Sequence, residues 1–207
     1  MRKRDDSVNN KSGTHALTLS INRKLLSKSK RSQVWVETVI YTLIALTIIG
    51  LFISFAKPKI EEIQDKAVIE QSVQMVEDID SIISSIVQGG AGNQRIVEIG
   101  IKKGELKVDG VNDQLIFEIE GRYTYTQPGE NGMPGEYINV GNIIASTQKR
   151  GKMSVVTLIS NYSSRYDLQF EGSNSAKVIT RAPVAYQMSF SNKGDVGGKT
   201  LIDVGII

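Results

Sequence analysis

The sequence predicts an α+β fold in which a long N-terminal helix, hydrophobic and then amphipathic, precedes an antiparallel, immunoglobulin-like β-sandwich. Residues 38–56 contain no charged side chain, which suits a membrane or a filament core. After Pro58 the apolar residues recur at three- and four-residue steps, and from residue 95 short β-branched runs alternate with turns. We therefore expect a basic leader at 1–32, a helix at 33–88 whose membrane or filament-core part is 34–56 and whose amphipathic part is 57–88, a glycine-rich linker at 89–94 and a β-sandwich head domain at 95–207.

The leader differs in charge from the rest of the chain. Residues 1–32 hold nine Lys/Arg and two Asp, a net charge of +7, whereas residues 33–207 carry a net charge of −4. Basic residues before an apolar helix favour a cytoplasmic N-terminus, so the head domain is expected outside the cell. We prefer this interpretation to nucleic-acid binding by the tail, and no nucleic-acid partner is expected.

The apolar run is long enough to span a membrane. Its 19 residues, Thr38–Ala56, would form a helix of about 28 Å, close to the thickness of the hydrocarbon core. Lys57 and Lys59 follow the run and place charge at the far interface. We predict a single-pass membrane protein whose apolar helix stays in the mature chain, because the run begins later than the core of a secretory signal.

The second half of the helix is predicted to bury one stripe. Isoleucine, valine and alanine recur with helical spacing, and acidic residues mark the opposite faces. The stripe as predicted comprises Ile60, Ile63, Ala67, Val73, Val76, Ile79, Ile83 and Ile86. Packing onto the chain's own head domain is the ordinary explanation of such a stripe.

The head domain is predicted to hold eight or nine strands. Nine β-branched and aromatic runs are separated by turn signals such as Asp109-Gly110 and Gly197-Gly198. The stretch 126–136, TQPGENGMPGE, is predicted to be an exposed loop. GDVGGKT, residues 194–200, lacks the first glycine of a phosphate-binding loop and precedes a strand, so a glycine-rich hairpin is predicted there instead.

The composition leaves little catalytic chemistry. The chain has no cysteine, which excludes a disulfide framework and thiolate sites. Its one histidine is His15, so the usual nucleophile, base and metal-ligand residues are missing. We expect no catalytic residue, no metal site and no cofactor. Asn161-Tyr162-Ser163 is an N-glycosylation sequon on the expected external side, so Asn161 is a candidate modification site.

Glu37 lies at the start of the apolar run, where a charge in hydrocarbon would cost roughly 2.5–3.5 kcal/mol. One interpretation places its carboxylate at the headgroup boundary, at little cost. The other pairs it with a positive group created when the chain is cleaved. Both interpretations stay open on the residues alone.

The residues around Glu37 resemble a known processing region. Lys30-Arg31-Ser32, then Gln33, then Glu37 and an apolar helix are similar to the corresponding region of archaeal type IV pilin-like proteins, the superfamily of pilins and archaellins. The resemblance implies a class III-like signal peptide that a prepilin-type peptidase cuts between Ser32 and Gln33. It also implies that Glu37, as the fifth mature residue, pairs with the N-terminal amine of a neighbouring subunit.

The resemblance implies a structural role rather than an enzymatic one. It predicts a subunit of an archaeal surface filament, pilus-like or archaellum-like, used for adhesion or motility. Its partners would be copies of itself, the membrane, the peptidase and the filament assembly machinery. The alternative is an uncleaved single-span protein whose β-domain serves as an accessory or binding component of a surface complex. A membrane-tethered enzyme is a third class, for which the residues of common mechanisms are missing.

Overall fold

The computed structural model of the protein describes residues 29–129 and 132–207, with the side chains of 29–33 outside the description. These residues form one long helix followed by ten strands in two sheets. The predicted α+β class, with a β-sandwich after an N-terminal helix, is confirmed. Contacts divide the chain into two compact units, residues 1–51 and residues 52–207.

Helix α1 runs over 60 residues, Ser29–Gln88, and Pro58 lies inside it without ending it. The helix ends because glycines follow. Gly90 takes a φ of 84°, a left-handed conformation that closes helices and that glycine adopts at little cost. The amides of Gly89 and Gly90 donate to the carbonyls of Ser85 and Val87 at 3.1 and 3.0 Å, which satisfies the last turn.

The strands follow at once and form sheets of four and six strands. The smaller sheet has the order β1-β9-β10-β7 and the larger one β4-β5-β6-β3-β2-β8. All pairs are antiparallel except β7 with β10, which is parallel. Their bounds are β1 Gln94–Ile99, β2 Glu105–Asp109, β3 Gln114–Gly121, β4 Ile138–Val140, β5 Ile143–Arg150, β6 Met153–Asn161, β7 Tyr166–Phe170, β8 Lys177–Thr180, β9 Tyr186–Val196 and β10 Lys199–Ile206.

Two glycine turns decide the strand count. The run 137–146, predicted as one strand, forms β4 and β5, because Gly141 takes a φ of 59° and Val140 pairs directly with Ile143. At 194–200 the predicted hairpin is confirmed. Gly197 and Gly198 have φ values of 65° and 93° and join β9 to β10, as a two-residue turn of the favoured twist requires.

The stretch 126–136 is anchored along one edge of β5 rather than extending freely. The amides of Gly129 and Gly135 donate to the carbonyl of Thr147 at 3.2 and 2.9 Å, and the Thr147 hydroxyl accepts from the Thr126 amide at 2.9 Å. Residues 130 and 131 lie outside the description, so this account covers the two ends of the stretch.

The two sheets and the helix share one core. Alternate residues of the strands point inward, as Leu115, Phe117 and Ile119 do in β3. From α1 the core receives Ile69, Val73, Val76, Ile79, Ile83 and Ile86. Ile69 completes the predicted stripe, whereas Ile60, Ile63 and Ala67 are exposed and do not belong to it.

Asp65 fixes the point at which the helix first meets the sheets. Its side chain is 6% exposed, and its carboxylate accepts a hydrogen bond from the backbone amide of Arg122 at 2.6 Å and forms an ion pair with Lys103. A Cβ at Gly121 would lie 2.6 Å from an Asp65 carboxylate oxygen, so only glycine leaves the carboxylate its place. The Arg122 side chain also forms an ion pair with Glu61, which lies one helical turn before Asp65 in α1.

Replacing Asp65 by alanine should destabilise the domain by about 2 kcal/mol, because a buried amide and its charged partner lose their acceptor. Urea unfolding of the detergent-solubilised chain, followed by circular dichroism of the strands, measures this loss. Asp78→Ala is the control, since Asp78 is exposed on the same helix. Equal midpoints for the two variants would contradict the role given to Asp65.

Candidate functional site

The surface that most needs an explanation is the apolar part of helix α1. Every residue from 34 to 55 is exposed, including large side chains such as Phe52 at 72% and Phe55 at 75%. By length and composition this segment is able to cross a membrane. A contiguous apolar surface of this extent marks a membrane or protein contact. We call residues 34–56 the apolar helix.

Three threonine side chains of the apolar helix bond within the helix. The hydroxyls of Thr38, Thr42 and Thr47 each donate to the carbonyl four residues earlier, at 2.9, 2.5 and 2.7 Å. Hydroxyls bonded in this way leave no free donor facing outward, which lowers the cost of an apolar environment. The threonines are therefore compatible with lipid and with close packing against other helices.

Glu37 supplies the carboxyl group of this surface. Its side chain is exposed, and it forms no ion pair with any side chain in residues 34–129 or 132–207. Glu37 is one helical turn from Val34 and from Tyr41, both exposed. A carboxylate in this setting keeps its charge in water and needs a cation once water is removed.

A second apolar stripe continues beyond the apolar helix on the outer face of α1. Its members follow steps of three and four residues and end where polar residues take over. We call it the outer stripe: Ile53, Ala56, Ile60, Ile63 and Ala67. Ile53, Ile60 and Ile63 are 55, 54 and 68% exposed.

The outer stripe points away from the core of residues 52–207. At 100° per residue its mean direction lies about 160° from that of the buried stripe. Charged side chains flank it on both sides. They form ion pairs between Lys57 and Glu61, Lys59 and Glu62, and Lys66 and Glu70, at 4.0, 2.8 and 3.7 Å. An apolar seam between charged borders is typical of a helix that packs against another helix.

The predicted processing residues lie at the beginning of α1. Lys30, Arg31, Ser32 and Gln33 fall within the helix, and their side chains lie outside the described part of the chain. Residues 1–28 of the leader lie outside it as well. Cleavage between Ser32 and Gln33 stays a prediction.

Asn161 lies at the surface, at the end of β6. Its side chain is exposed, and its Oδ1 atom accepts a hydrogen bond from the amide of Ser163 at 3.0 Å. Tyr162, between them, is fully buried. The sequon is thus accessible from solvent, and its modification stays a prediction.

Sequence reasoning missed a buried polar cluster around Asp80. Asp80 is 8% exposed and accepts a hydrogen bond from the side chain of Asn142 at 2.7 Å, with Arg165 at 3.8 Å. Burial, together with the negative charge of Asp80, raises the pKa of Tyr162 above its usual value. The cluster ties the helix to the β4–β5 turn. The feature of the sequence that indicates this cluster is Asp80 itself, an aspartate within the apolar stripe.

In the part of the chain that the structure describes, no other arrangement of side chains indicates a metal site or a reaction. Within the described residues no group of three or more His, Cys, Asp or Glu side chains is placed to hold a metal ion. A cleft of about 450 Å³ lies between α1 and β1 and is lined by side chains such as Met75, Ile82 and Val97. Ser72 also lines it, and its hydroxyl donates to the Val68 carbonyl at 2.8 Å.

Comparison with protein-family models, with curated proteins and with solved structures finds no match to this chain. The exposed apolar surface of α1 is therefore the feature that indicates a function.

Proposed function

We propose that this protein is a structural subunit of an archaeal surface filament, pilus-like or archaellum-like, assembled through its N-terminal helix. It acts without catalysis or a cofactor. Before assembly the chain spans the membrane with its head domain outside the cell, and afterwards it belongs to a cell-surface filament. The outer stripe is the observation that carries this proposal.

The outer stripe favours self-association over simple anchoring. A lone membrane anchor needs apolar surface across the hydrocarbon and no further. Ile60 and Ile63 follow the charged residues Lys57 and Lys59, yet they remain exposed on the face opposite the core. Helices of sister subunits would cover the apolar helix and the outer stripe together, in one continuous contact.

The energy of such a contact is substantial. Fully burying an isoleucine contributes roughly 1.5–3 kcal/mol relative to exposure, so Ile60 and Ile63 favour association beyond what the apolar helix provides. Each subunit of a filament repeats the contact with its neighbours. The small residues Ala56 and Ala67 in the same stripe let neighbouring backbones approach closely.

Glu37 gains a counter-ion in this proposal. Cleavage before Gln33 creates an α-amino group, whose ordinary pKa of about 7.7–8.0 leaves it largely protonated at neutral pH. The amine of one subunit pairs with Glu37 of its neighbour when both leave the headgroup region for the filament core. The peptidase and the assembly machinery are the further partners that this step needs.

Sequencing the N-terminus of the mature protein tests the processing step. We expect Gln33 as the first residue. The variant Lys30→Gln/Arg31→Gln should retain the leader, because the positive residues before the cut would be missing. An intact Met1 in the native protein would contradict processing and favour the alternative, an uncleaved single-span accessory or binding protein.

Replacing Glu37 by alanine should reduce filament yield at least ten-fold, because the unpaired amine of a neighbour would cost about 3–5 kcal/mol if buried. Electron microscopy of filaments, with immunoblots of total subunit, measures the yield at equal expression. Glu98→Ala removes an exposed carboxylate from β1 and should leave the yield unchanged. Normal filaments in the Glu37→Ala strain would refute the charge pairing.

The variant Ile60→Gln/Ile63→Gln should also lower filament yield, while membrane insertion and the protease resistance of the head domain stay unchanged. Both side chains are exposed in the single chain, so their loss acts on association. Val111→Gln/Val184→Gln is the matched control, since these valines are 72 and 75% exposed elsewhere in the domain. If both double variants polymerise like the parent chain, the outer stripe is not an assembly contact.

A further inference from the structure

The turn between β5 and β6 carries three positively charged side chains that form no ion pair within the described residues. Lys149, Arg150 and Lys152 surround Gly151 and are exposed. We call residues 149–152 the basic turn.

Three glutamates lie near one of the basic side chains of this turn. Arg150 borders a cleft of about 300 Å³ that is also lined by Glu105, Glu118 and Glu120. Its guanidinium donates instead to the side-chain oxygen of Gln148 at 3.4 Å. The three glutamates border this cleft, whereas Lys149 and Lys152 do not.

The basic turn lies at the end of the domain where α1 enters. Met153, which pairs with Arg150 across the turn, lines a cleft together with Glu61, Asp65 and Arg122. Ser154 pairs with Gly121, the residue against which Asp65 packs. The helical turn 61–65 and the basic turn are therefore neighbours within the unit 52–207.

Helical geometry gives the distance of residues 61–65 from the end of the apolar run. Ala56 ends the apolar run, and at 1.5 Å per residue Glu61 lies about 8 Å and Asp65 about 14 Å beyond it along the axis. The headgroup layer of each leaflet is about 5–8 Å deep. Glu61 therefore lies near the outer boundary of this layer, and a long lysine or arginine side chain beside it can extend toward lipid phosphates if α1 spans the bilayer as proposed above.

We propose that the basic turn docks on anionic phospholipid headgroups and holds the head domain against the outer face of the membrane before assembly. The inference rests on the proposed spanning helix. Guanidinium and ammonium groups donate charge-assisted hydrogen bonds to phosphate oxygens. Each basic residue near an anionic surface strengthens attachment about five-fold, and the effect falls off within a Debye length. Lys57 and Lys59 lie at a similar height, and each is paired with a glutamate of the helix.

Spin labels in the full chain test this docking. The chain has no cysteine, so Thr124→Cys and Val111→Cys each give a single labelled site. Thr124 is exposed, and its hydroxyl lies 3.3 Å from that of Ser154, close to the basic turn. Val111 lies in the β2–β3 turn, at the opposite end of the strands.

The labelled chains are placed, one per disc, in nanodiscs of phosphatidylcholine alone or mixed with phosphatidylglycerol. We expect the Thr124 label to be several-fold less accessible to a water-soluble relaxation agent in the anionic discs, and the Val111 label to be equally accessible in both. Lys149→Gln/Lys152→Gln should abolish the protection, as should high salt. Lys177→Gln/Lys193→Gln, which removes the same charge from the other end of the strands, should leave it intact.

Each other outcome overturns a defined step. A chain that does not enter the disc overturns the spanning helix and the docking with it. A chain that enters the disc but shows equal Thr124 accessibility in neutral and anionic lipid overturns the docking alone. Protection that appears only with several chains per disc means that the turn contacts a second copy, and it also overturns docking on lipid.

Discussion

The physical constraint on which this protein depends is the apolar surface of α1 that its own fold leaves uncovered. Water around residues 34–55 opposes their exposure, and the single chain supplies no cover for them. The surface is too long and too uniform to be incidental. Lipid or other helices would cover the apolar helix, and the structure is compatible with either.

The environment of helix α1 changes where the helix meets the strands. From Ile69 to Ile86 its inner face is buried in the core that both sheets share. Asp65 and Asp80 place buried carboxylates on that face and accept bonds from the sheet side. Directional polar contacts between apolar ones fix how far the helix is rotated and shifted along the sheets. That rotation leaves Ile60 and Ile63 facing outward.

If the chain moves from membrane to filament as we propose, one surface has to suit two surroundings. Aliphatic side chains, and threonines whose hydroxyls bond to their own helix, suit both lipid and neighbouring helices. Neither kind of side chain needs a new polar partner in either environment. Charge is what distinguishes the two states. In the proposed cycle Glu37 is tolerable at the headgroup level and needs a cation in the filament, and the basic turn is the group that would contact lipid phosphates while the helix is in the membrane.

The sequence by itself determined the order of elements and the chemistry of the apolar run, because charge, hydropathy period and glycine turns act locally. It predicted the helix followed by a β-sandwich, and it located Glu37 and the 194–200 hairpin. Only the tertiary structure decided which isoleucines are buried. Ile60 and Ile63 also follow helical steps, but they lie on the face opposite Ile79 and Ile83, and the sheets cover only that second face. The strand pairing likewise decided that the basic turn lies beside residues 61–65, because contacts between residues far apart in the chain leave no local pattern.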